Sequence, residues 1–405
     1  MADVLRNATV ESVATPTRFG ADPEWSRRVT WPLRLVTGRD AEPTREELDR
    51  LRAGLLRRDE AAHDLVRAVR EEHSVTMPQL RQALEHGIET VPDAPAALRD
   101  FFELVESRPD WVDDALLDRG ARAMQKIGWD GFDLLTWGSL LGGYRSAAAL
   151  EPLVRSGRLL GSGAARRTAE TSRWFLACIE DGGLRREAEG WRLSVHVRVM
   201  HAFVNYQLEH DPTWDWTLRG TPINQYDQAS TLAVFSTTPL LQARLLGLRI
   251  SRRDSAAIMH LWSYIGWLMG VDDHWLPHTE QAGRRIIYHL LSFDPGPDDN
   301  SRMLARALVD SQADVPGPRW RGVLAREVGL STATFLNGRR GMRELGLPAR
   351  PPWYPALRVP ANVFWTHLVG RLPGGEELVV RRGRRGRDRR VRLQHGRLVD
   401  VPAVG

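Results

Sequence analysis

The sequence is poor in cysteine and lysine. It has 405 residues, of which one is a cysteine, Cys178, and one is a lysine, Lys126. A single cysteine excludes a disulfide framework, a metal site built from clustered cysteines and thioether attachment of a haem. A single lysine excludes lysine chemistry at every other position. Ligand and catalytic roles therefore fall to histidine, carboxylates, arginine and hydroxyl groups.

Long apolar runs are also absent. The most apolar stretch, residues 256–271, is interrupted by His260 and is shorter than the roughly 20 residues that a membrane span needs. An export signal typically has a basic segment followed by an apolar core. The first twenty residues show no such pattern. The sequence thus predicts no membrane span, a buried helix over the apolar stretch and a cytoplasmic location.

The excess of positive charge is confined to one place. The chain carries a formal net charge of +5, and residues 381–392 hold eight arginines and one aspartate. This segment contributes +7, so the rest of the chain is near −2. No basic stripe with interleaved aromatic residues is present elsewhere, which argues against nucleic acid as a partner. The segment is typical of a solvated arm or of docking on an acidic surface.

Helical periodicity dominates the sequence, with no βαβ alternation and no internal repeat, so we predict an all-α protein. Its hydrophobic content of 42% and charged content of 26% are those of a globular protein. Four prolines predict that residues 1–45 are irregular, and residues 348–360 are expected to form a proline-rich crossing. Short β-branched runs at 378–380 and 391–401 predict a small C-terminal β-hairpin.

Residues 166–209 are the most informative stretch, since they predict two helices joined by a turn at 181–183. In the first helix, the residues that share one face by helical spacing are Arg167, Glu170, Thr171, Trp174 and Cys178. In the second, an apolar stripe runs through Leu193, Val197, Met200, Val204 and Leu208. His201 lies about 40° around the helix from Val197, so we expect it to be buried or half-buried and to need a partner.

Three segments together resemble the latex-clearing-protein and MpaB-type oxygenase family. They are RVMHAFVNYQLE at 198–209, GTPINQYDQAS at 220–230 and LWSYIGWLMGVDDHWLP at 261–277. The resemblance covers about residues 110–300 and extends to about 370. It implies a globin-like helical core in which His201 is the proximal ligand of a b-type haem. Neutral imidazole is a good ligand for iron. The alternative is that His201 is a core histidine whose hydrogen bonds are made between packed helices.

The resemblance also implies the residues on the opposite side of the haem. The family's glutamate, arginine and threonine correspond to Glu151, Arg167 and Thr171. Position 170 departs from the family, because Glu170 stands where the latex-clearing enzymes have a lysine that can occupy the sixth position of the iron. Glu170 is then expected to act as general acid or base, helped by Arg167, or else to form a plain i,i+3 ion pair with it. Arg198 is expected to reach a haem propionate or to form a surface ion pair.

The predicted organisation is an N-terminal helical extension over 1–110, a haem-binding oxygenase core over 111–300 and a C-terminal extension with a basic tail over 301–405. Family chemistry implies dioxygen-dependent cleavage of a carbon–carbon double bond. With no export signal, we expect a small apolar substrate, isoprenoid-like or alkene-containing, and dioxygen or hydrogen peroxide as the oxidant.

Two alternatives stay open at this point. Residues 272–280 place five candidate ligands for a non-haem metal close together: Asp272, Asp273, His274, His278 and Glu280. Pro277, however, interrupts the helix that would align the two histidines. The second alternative is non-enzymatic: a haem-binding sensor or carrier, or a helical scaffold. The sequence does not define the oligomeric state.

Overall fold

The computed structural model describes residues 14–155 and 162–395, with the backbone alone at 162–168, 314, 394 and 395. Six helices form the N-terminal part: α1 Pro23–Thr37, α2 Arg45–Gly54, α3 Glu60–Arg70, α4 Met77–His86, α5 Ala96–Glu106 and α6 Asp114–Ile127. The central helices are α7 Trp129–Asp133, α8 Leu141–Gly143, α9 Glu151–Arg155, α10 Ser162–Cys178, α11 Glu189–Glu209, α12 Trp216–Arg219, α13 Gln225–Phe235, α14 Thr237–Leu245 and α15 Arg252–Leu268. The C-terminal helices are α16 Glu280–Ser292, α17 Asp299–Asp310, α18 Arg319–Glu344, α19 Trp353–Val363 and α20 Gly375–His395.

The all-α prediction is confirmed, since no strand occurs in the described ranges. Two π-helical segments add to the α-helices: Leu134–Leu140 joins α7 to α8, and Phe364–Leu368 follows α19. One large core contains side chains of α2–α5 together with those of the central helices. A smaller second core forms between Trp137, Leu141 and the apolar residues of α17 and α18. The N-terminal helices therefore pack directly onto the elements that carry His201.

The prediction that residues 1–45 are irregular is wrong over α1. Asp22 caps this helix by accepting a hydrogen bond from the Trp25 amide, and Pro23 takes a position in the first turn where a missing amide costs nothing. Pro32 lies inside the helix. The buried side of α1 carries Trp25 and packs on α16, and this tertiary contact outweighs the low helix propensity of proline.

The predicted C-terminal hairpin is also wrong. Residues 378–380 and 391–395 belong to α20, while 396–401 lie outside the described residues. Helical spacing, rather than strand alternation, puts Val379, Val380 and Val391 on its buried side. Gly383 allows α20 to approach α6 closely, because a Cβ there would lie 2.2 Å from the Gln125 carbonyl oxygen.

The arginine-rich segment is consequently not a solvated arm along its whole length. Arg390 is 8% exposed and donates to Asp133 at 2.7 Å, and Arg387 is 9% exposed and pairs with Glu180 at 2.8 Å. Arg384 pairs with Asp181 at 2.6 Å. The acidic residues that follow α10 therefore hold the basic helix against the protein.

Candidate functional site

Helices α10 and α11 run antiparallel and touch at one end. The Trp174 indole donates to the Ser194 hydroxyl at 3.0 Å, and the Cys178 thiol lies 3.6 Å from the same oxygen. Gly190 permits this approach, since an added Cβ would lie 2.7 Å from the Ala177 carbonyl oxygen. Cys178 is 1% exposed, and burial raises the pKa of its thiol to about 12. We call this the closed end of the helix pair.

The other end of the described pair carries His201. Two turns before Trp174 lies position 167, and two turns after Ser194 lies His201, so both are about 10 Å along the helices from the closed end. Glu170 and His201 are half-buried and Thr171 is exposed. We call this level of the helix pair the open end.

His201 lies at the border between two faces of α11. One face is buried against α3, α10 and α15 and includes Val195, Val199 and Ala202. The other face is apolar but only half-buried, and its members are Leu193, Val197, Met200 and Val204. His201 itself is half-buried, as the sequence predicts. The imidazole thus borders an apolar wall that the protein does not cover completely.

The structure describes the side chains of two of the three residues predicted on α10. Glu170 and Thr171 lie one turn before Trp174, on the helix side that faces α11. Arg167 belongs to α10, but its side chain lies outside the described residues. The structure therefore brings Glu170 and Thr171 to the level of Val197, one turn from His201, with a carboxylate and a hydroxyl on the helix opposite the imidazole.

Glu151 is held away from this pair by ion pairs. It is 8% exposed and accepts from Arg155 at 2.8 Å and from the Asn300 amide at 3.2 Å. Arg219 adds a further ion pair at 3.3 Å. Arg155 also donates to Asp211, which follows the end of α11. Glu151 therefore joins α9 to the segment after α11, and two guanidinium groups balance its charge.

Arg198 also has a partner that the sequence analysis missed. Its Nε and Nη2 atoms donate to the two carboxylate oxygens of Asp59 at 2.5 and 2.8 Å, and its guanidinium lies 5.4 Å from the centre of the Phe101 ring. Arg198 is 5% exposed. This is a buried pair between α11 and the residue that caps α3, rather than a surface ion pair, and it occupies two of the nitrogens that a propionate would need.

An aromatic cluster packs around Trp174 on the core side of α10. Phe235 lies 5.4 Å from Trp174 and 5.6 Å from Trp262 between ring centres, and Trp262 is fully buried. Phe175, also on α10, packs on the Trp262 indole at 6.1 Å. Phe235 and Trp262 come from α13 and α15, so helical spacing within α10 gives no signal for their contact with Trp174.

The segment GTPINQ fixes the start of α13 against α11. Asn224 caps α13 by accepting from the Asp227 amide at 2.9 Å, and Asn205 of α11 accepts from the Ile223 amide at 3.1 Å. Gln225 donates to the Gly270 carbonyl and accepts from the Asp272 amide, both at 2.9 Å. These polar residues hold the starts of helices and the neighbouring turns in position.

The loop at 272–280 does not assemble a metal site. His274 stacks beside Trp275, whereas His278 packs on Trp111 at 4.8 Å between ring centres. Glu280 accepts from Arg244 at 2.5 and 2.8 Å. In the described part of the chain, no three His, Cys, Asp or Glu side chains group as metal ligands. No helix in the same ranges is long and apolar enough to cross a membrane.

Comparison with known proteins gives three matches. A family model described as "ER-bound oxygenase mpaB/B'/Rubber oxygenase, catalytic domain" matches residues 125–371. A Rubber oxygenase of Streptomyces sp. (strain K30) is 26% identical over 248 residues, which are 58% of this chain and 58% of that protein. The solved structure of Latex Clearing Protein LCP in the closed state superposes with a TM-score of 0.59 at 22% identity, over 82% of this chain and 90% of that one. The chain thus spans little more than half the length of its curated relative, and the structural match shows the fold.

Proposed function

Because this chain belongs to the mpaB/B'/Rubber oxygenase catalytic-domain family, we propose that it is a haem b-dependent oxygenase. Its substrate is an apolar small molecule containing an alkene, and its oxidant is dioxygen or hydrogen peroxide. The observation that carries the proposal is the position of His201 at the open end of α10 and α11, beside a half-buried apolar face of α11. The site lies in the predicted globin-like core over residues 111–300.

The residues at the open end fit a b-type haem. A haem needs an axial donor beside an apolar wall, and α11 offers the His201 imidazole next to Val197, Met200 and Val204. His201 would hold the iron, and those three side chains would pack against the macrocycle and exclude water from it. When bound, the haem supplies the redox chemistry that activates the oxidant.

The protein's own contribution on the opposite helix is polar. Glu170 is half-buried, so its carboxylate can give or take a proton at the oxidant, and the Thr171 hydroxyl can hydrogen-bond beside it. Arg167 follows the same face one turn earlier and would stabilise negative charge. Glu151 is a weaker candidate for a base, because its carboxylate is already engaged by the guanidinium groups of Arg155 and Arg219.

The test is an absorption spectrum of the full chain produced with ample haem, compared between the wild type and His201→Ala. We expect a Soret band in the wild type that is lost or shifted in the variant. His196→Ala is the matched control, because His196 is half-buried on the same helix, 140° away from His201. Its spectrum should equal that of the wild type.

A folded, haem-supplied wild type without a Soret band would refute the haem site. An equal loss in the two histidine variants would refute the assignment of His201. A third variant, Glu170→Lys, introduces at position 170 the lysine that the latex-clearing enzymes have. It should change the ligation state seen in the spectrum if position 170 lies on the side opposite His201.

Turnover separates the oxygenase from a haem carrier. The haem-loaded protein is supplied with dioxygen or peroxide and with short isoprene oligomers, and their hydrogenated counterparts serve as the control. We expect oxidant consumption and carbonyl products from the unsaturated oligomers alone. Stable haem binding with no turnover of any alkene would favour the carrier. Glu170→Gln should lower turnover and alter its pH profile while leaving the Soret band in place.

A further inference from the structure

Helix α19 is anchored through one side. Tyr354 accepts from the Trp129 indole at 3.0 Å, Arg358 donates to Asp130 at 2.7 Å, and the Asn362 amide donates to the Leu246 carbonyl at 3.0 Å. Tyr354, Arg358 and Asn362 recur every four residues and so share the inward face of the helix. Hydrogen bonds and an ion pair thus attach this face of α19 to the rest of the protein.

The outward face of α19 is apolar and continues into the π-helical segment. Its members, with their exposed fractions, are Trp353 39%, Leu357 67%, Phe364 50% and Leu368 59%. Leu372 extends the stripe beyond the helix at 62% exposure. A single exposed leucine is ordinary on a protein surface, but five large apolar side chains at helical spacing form a contiguous patch. Such a patch indicates a partner.

The outward face of α20 is basic and adjoins this stripe. Leu378, Arg382, Arg385 and Arg389 share one exposed face by helical spacing. The Arg382 guanidinium lies 4.3 Å from the centre of the Trp365 ring, which connects α20 to the segment that carries Phe364 and Leu368. Within 14–155 and 162–395, Arg385 and Arg389 form no ion pair with a carboxylate.

The acidic residues at the start of α20 do not cancel this charge. Glu376 pairs with Lys126 and Glu377 pairs with Arg122, both on α6. These carboxylates are therefore engaged by the body of the protein. What faces outward is a row of arginines beside a row of large apolar side chains, and we call the two together the basic–apolar face.

We propose that the basic–apolar face docks on the surface of an anionic phospholipid bilayer. Tryptophan, phenylalanine and leucine on one side of a helix enter the boundary between headgroups and acyl chains, while nearby arginines remain among the phosphates. The charge favours a bilayer with anionic headgroups over a neutral one. This surface is formed by residues that follow α18 and does not include His201, so the proposal goes beyond the oxygenase function and does not depend on haem.

The test measures binding of the full chain to sedimented vesicles. Vesicles contain phosphatidylglycerol mixed with phosphatidylcholine, or phosphatidylcholine alone. We expect binding to the anionic vesicles that weakens as salt increases. Arg385→Glu with Arg389→Glu should weaken it at least about thirtyfold, since each arginine near an anionic surface changes partitioning about fivefold. Leu357→Ser with Phe364→Ser should weaken it at least about tenfold.

Matched controls change the same residue types elsewhere. Arg339→Glu with Arg343→Glu alters two exposed arginines of α18, and Val323→Ser with Leu324→Ser alters two apolar side chains of α18 that are 64% and 48% exposed. These controls should bind as the wild type does. Melting temperatures of all variants should agree, because every altered side chain is exposed.

Three results would overturn the proposal. The first is no binding of the wild type to anionic vesicles at low salt. The second is an equal loss of binding in the control variants. The third is a wild-type dimer that Leu357→Ser with Phe364→Ser converts to a monomer while vesicle binding is unchanged. That result would assign the face to a second copy of the chain.

Discussion

The two ends of the α10–α11 pair differ although the same two helices form both. At the closed end Cys178, Gly190 and Ser194 are buried and in contact. At the open end, Thr171 is exposed and His201 is half-buried. One pair of helices thus supplies both a packed contact and a partly exposed level, and the residues for packing and for the proposed chemistry are about two turns apart.

A missing side chain accounts for the close contact at the closed end. The Cys178 thiol lies 3.8 Å from the Gly190 carbonyl oxygen, and a Cβ added to Gly190 would lie 2.7 Å from the Ala177 carbonyl oxygen. The open end carries Glu170 on one helix and Val197, Met200 and His201 on the other. The packing of the closed end therefore depends on glycine at position 190.

The largest expected difference between the two ends is in thiol reactivity. Cys178 should react with a thiol reagent only on unfolding, because burial raises its pKa to about 12 and leaves almost no thiolate at pH 8. Thr171→Cys, made in a Cys178→Ser background, places a thiol at an exposed position of the same helix. We expect it to react at least about a thousandfold faster, in line with an ordinary thiol pKa near 8.5.

The measurement is the rate of modification in native buffer, with the total thiol count in denaturant as the control for each protein. Fast modification of native Cys178 would show that the closed end opens readily. Slow modification of Thr171→Cys would show that the open end is covered in solution.

The next largest effect concerns Arg198, which lies between the two ends. Arg198→Met leaves the half-buried Asp59 carboxylate without its guanidinium partner, so we expect a loss of about 1–3 kcal/mol in the free energy of unfolding. Denaturant unfolding at pH 7 measures it. Asp59→Asn added to Arg198→Met should recover much of the loss, because an amide there carries no charge.

Haem affinity in the same variants tests the expected contact of Arg198 with a propionate. If Asp59 is the only partner, the double variant should bind haem as the wild type does. Weaker haem binding in a stably folded double variant would show that Arg198 also reaches the cofactor.

An effect of similar size is expected from a methyl group at the closed end. Gly190→Ala pushes a Cβ against the Ala177 and Gly183 carbonyl oxygens, which we expect to cost about 1–3 kcal/mol. Gly131→Ala is the control, because its added Cβ meets only Ile127 at 3.7 Å. It should be neutral or stabilise the helix by up to about 1 kcal/mol. Equal melting temperatures for the two variants would show that the closed end can separate without cost.

Helical periodicity was enough to predict the fold class and the central helix pair, since α10 and α11 carry long regular patterns. It failed where tertiary contacts decide. Four prolines concealed α1, whose buried side is held by α16. The valines of α20 were predicted to form a strand. The helix is held instead by ion pairs of its arginines with Asp133 and Glu180, which lie far away in sequence and leave no local pattern.

The candidate site was predictable to a similar extent. The sequence placed His201 beside an apolar stripe, and α10 supplied the opposing polar face. It gave no sign of Asp59 as the partner of Arg198, or of Arg219 and Asn300 as partners of Glu151. Each of these contacts joins segments that are at least 60 residues apart, and no local pattern encodes such a pairing.

The smallest effect is a pH dependence that comes from α11 between the two ends. Burial lowers the pKa of His196 below its usual value of 6.5, and its Nε2 atom has no hydrogen-bond partner among the described residues. The unfolded chain therefore binds a proton there at a higher pH than the folded one does. By linkage, this histidine contributes stability above pH 6.5 that is lost as the pH falls below it.

His196→Leu should remove that contribution, so the free energy of unfolding should fall less between pH 7.5 and 5.5 than in the wild type. His86→Leu, an exposed change at the end of α4, is the control and should leave the wild-type slope intact. An unchanged slope in His196→Leu would mean that water reaches this ring in the folded protein.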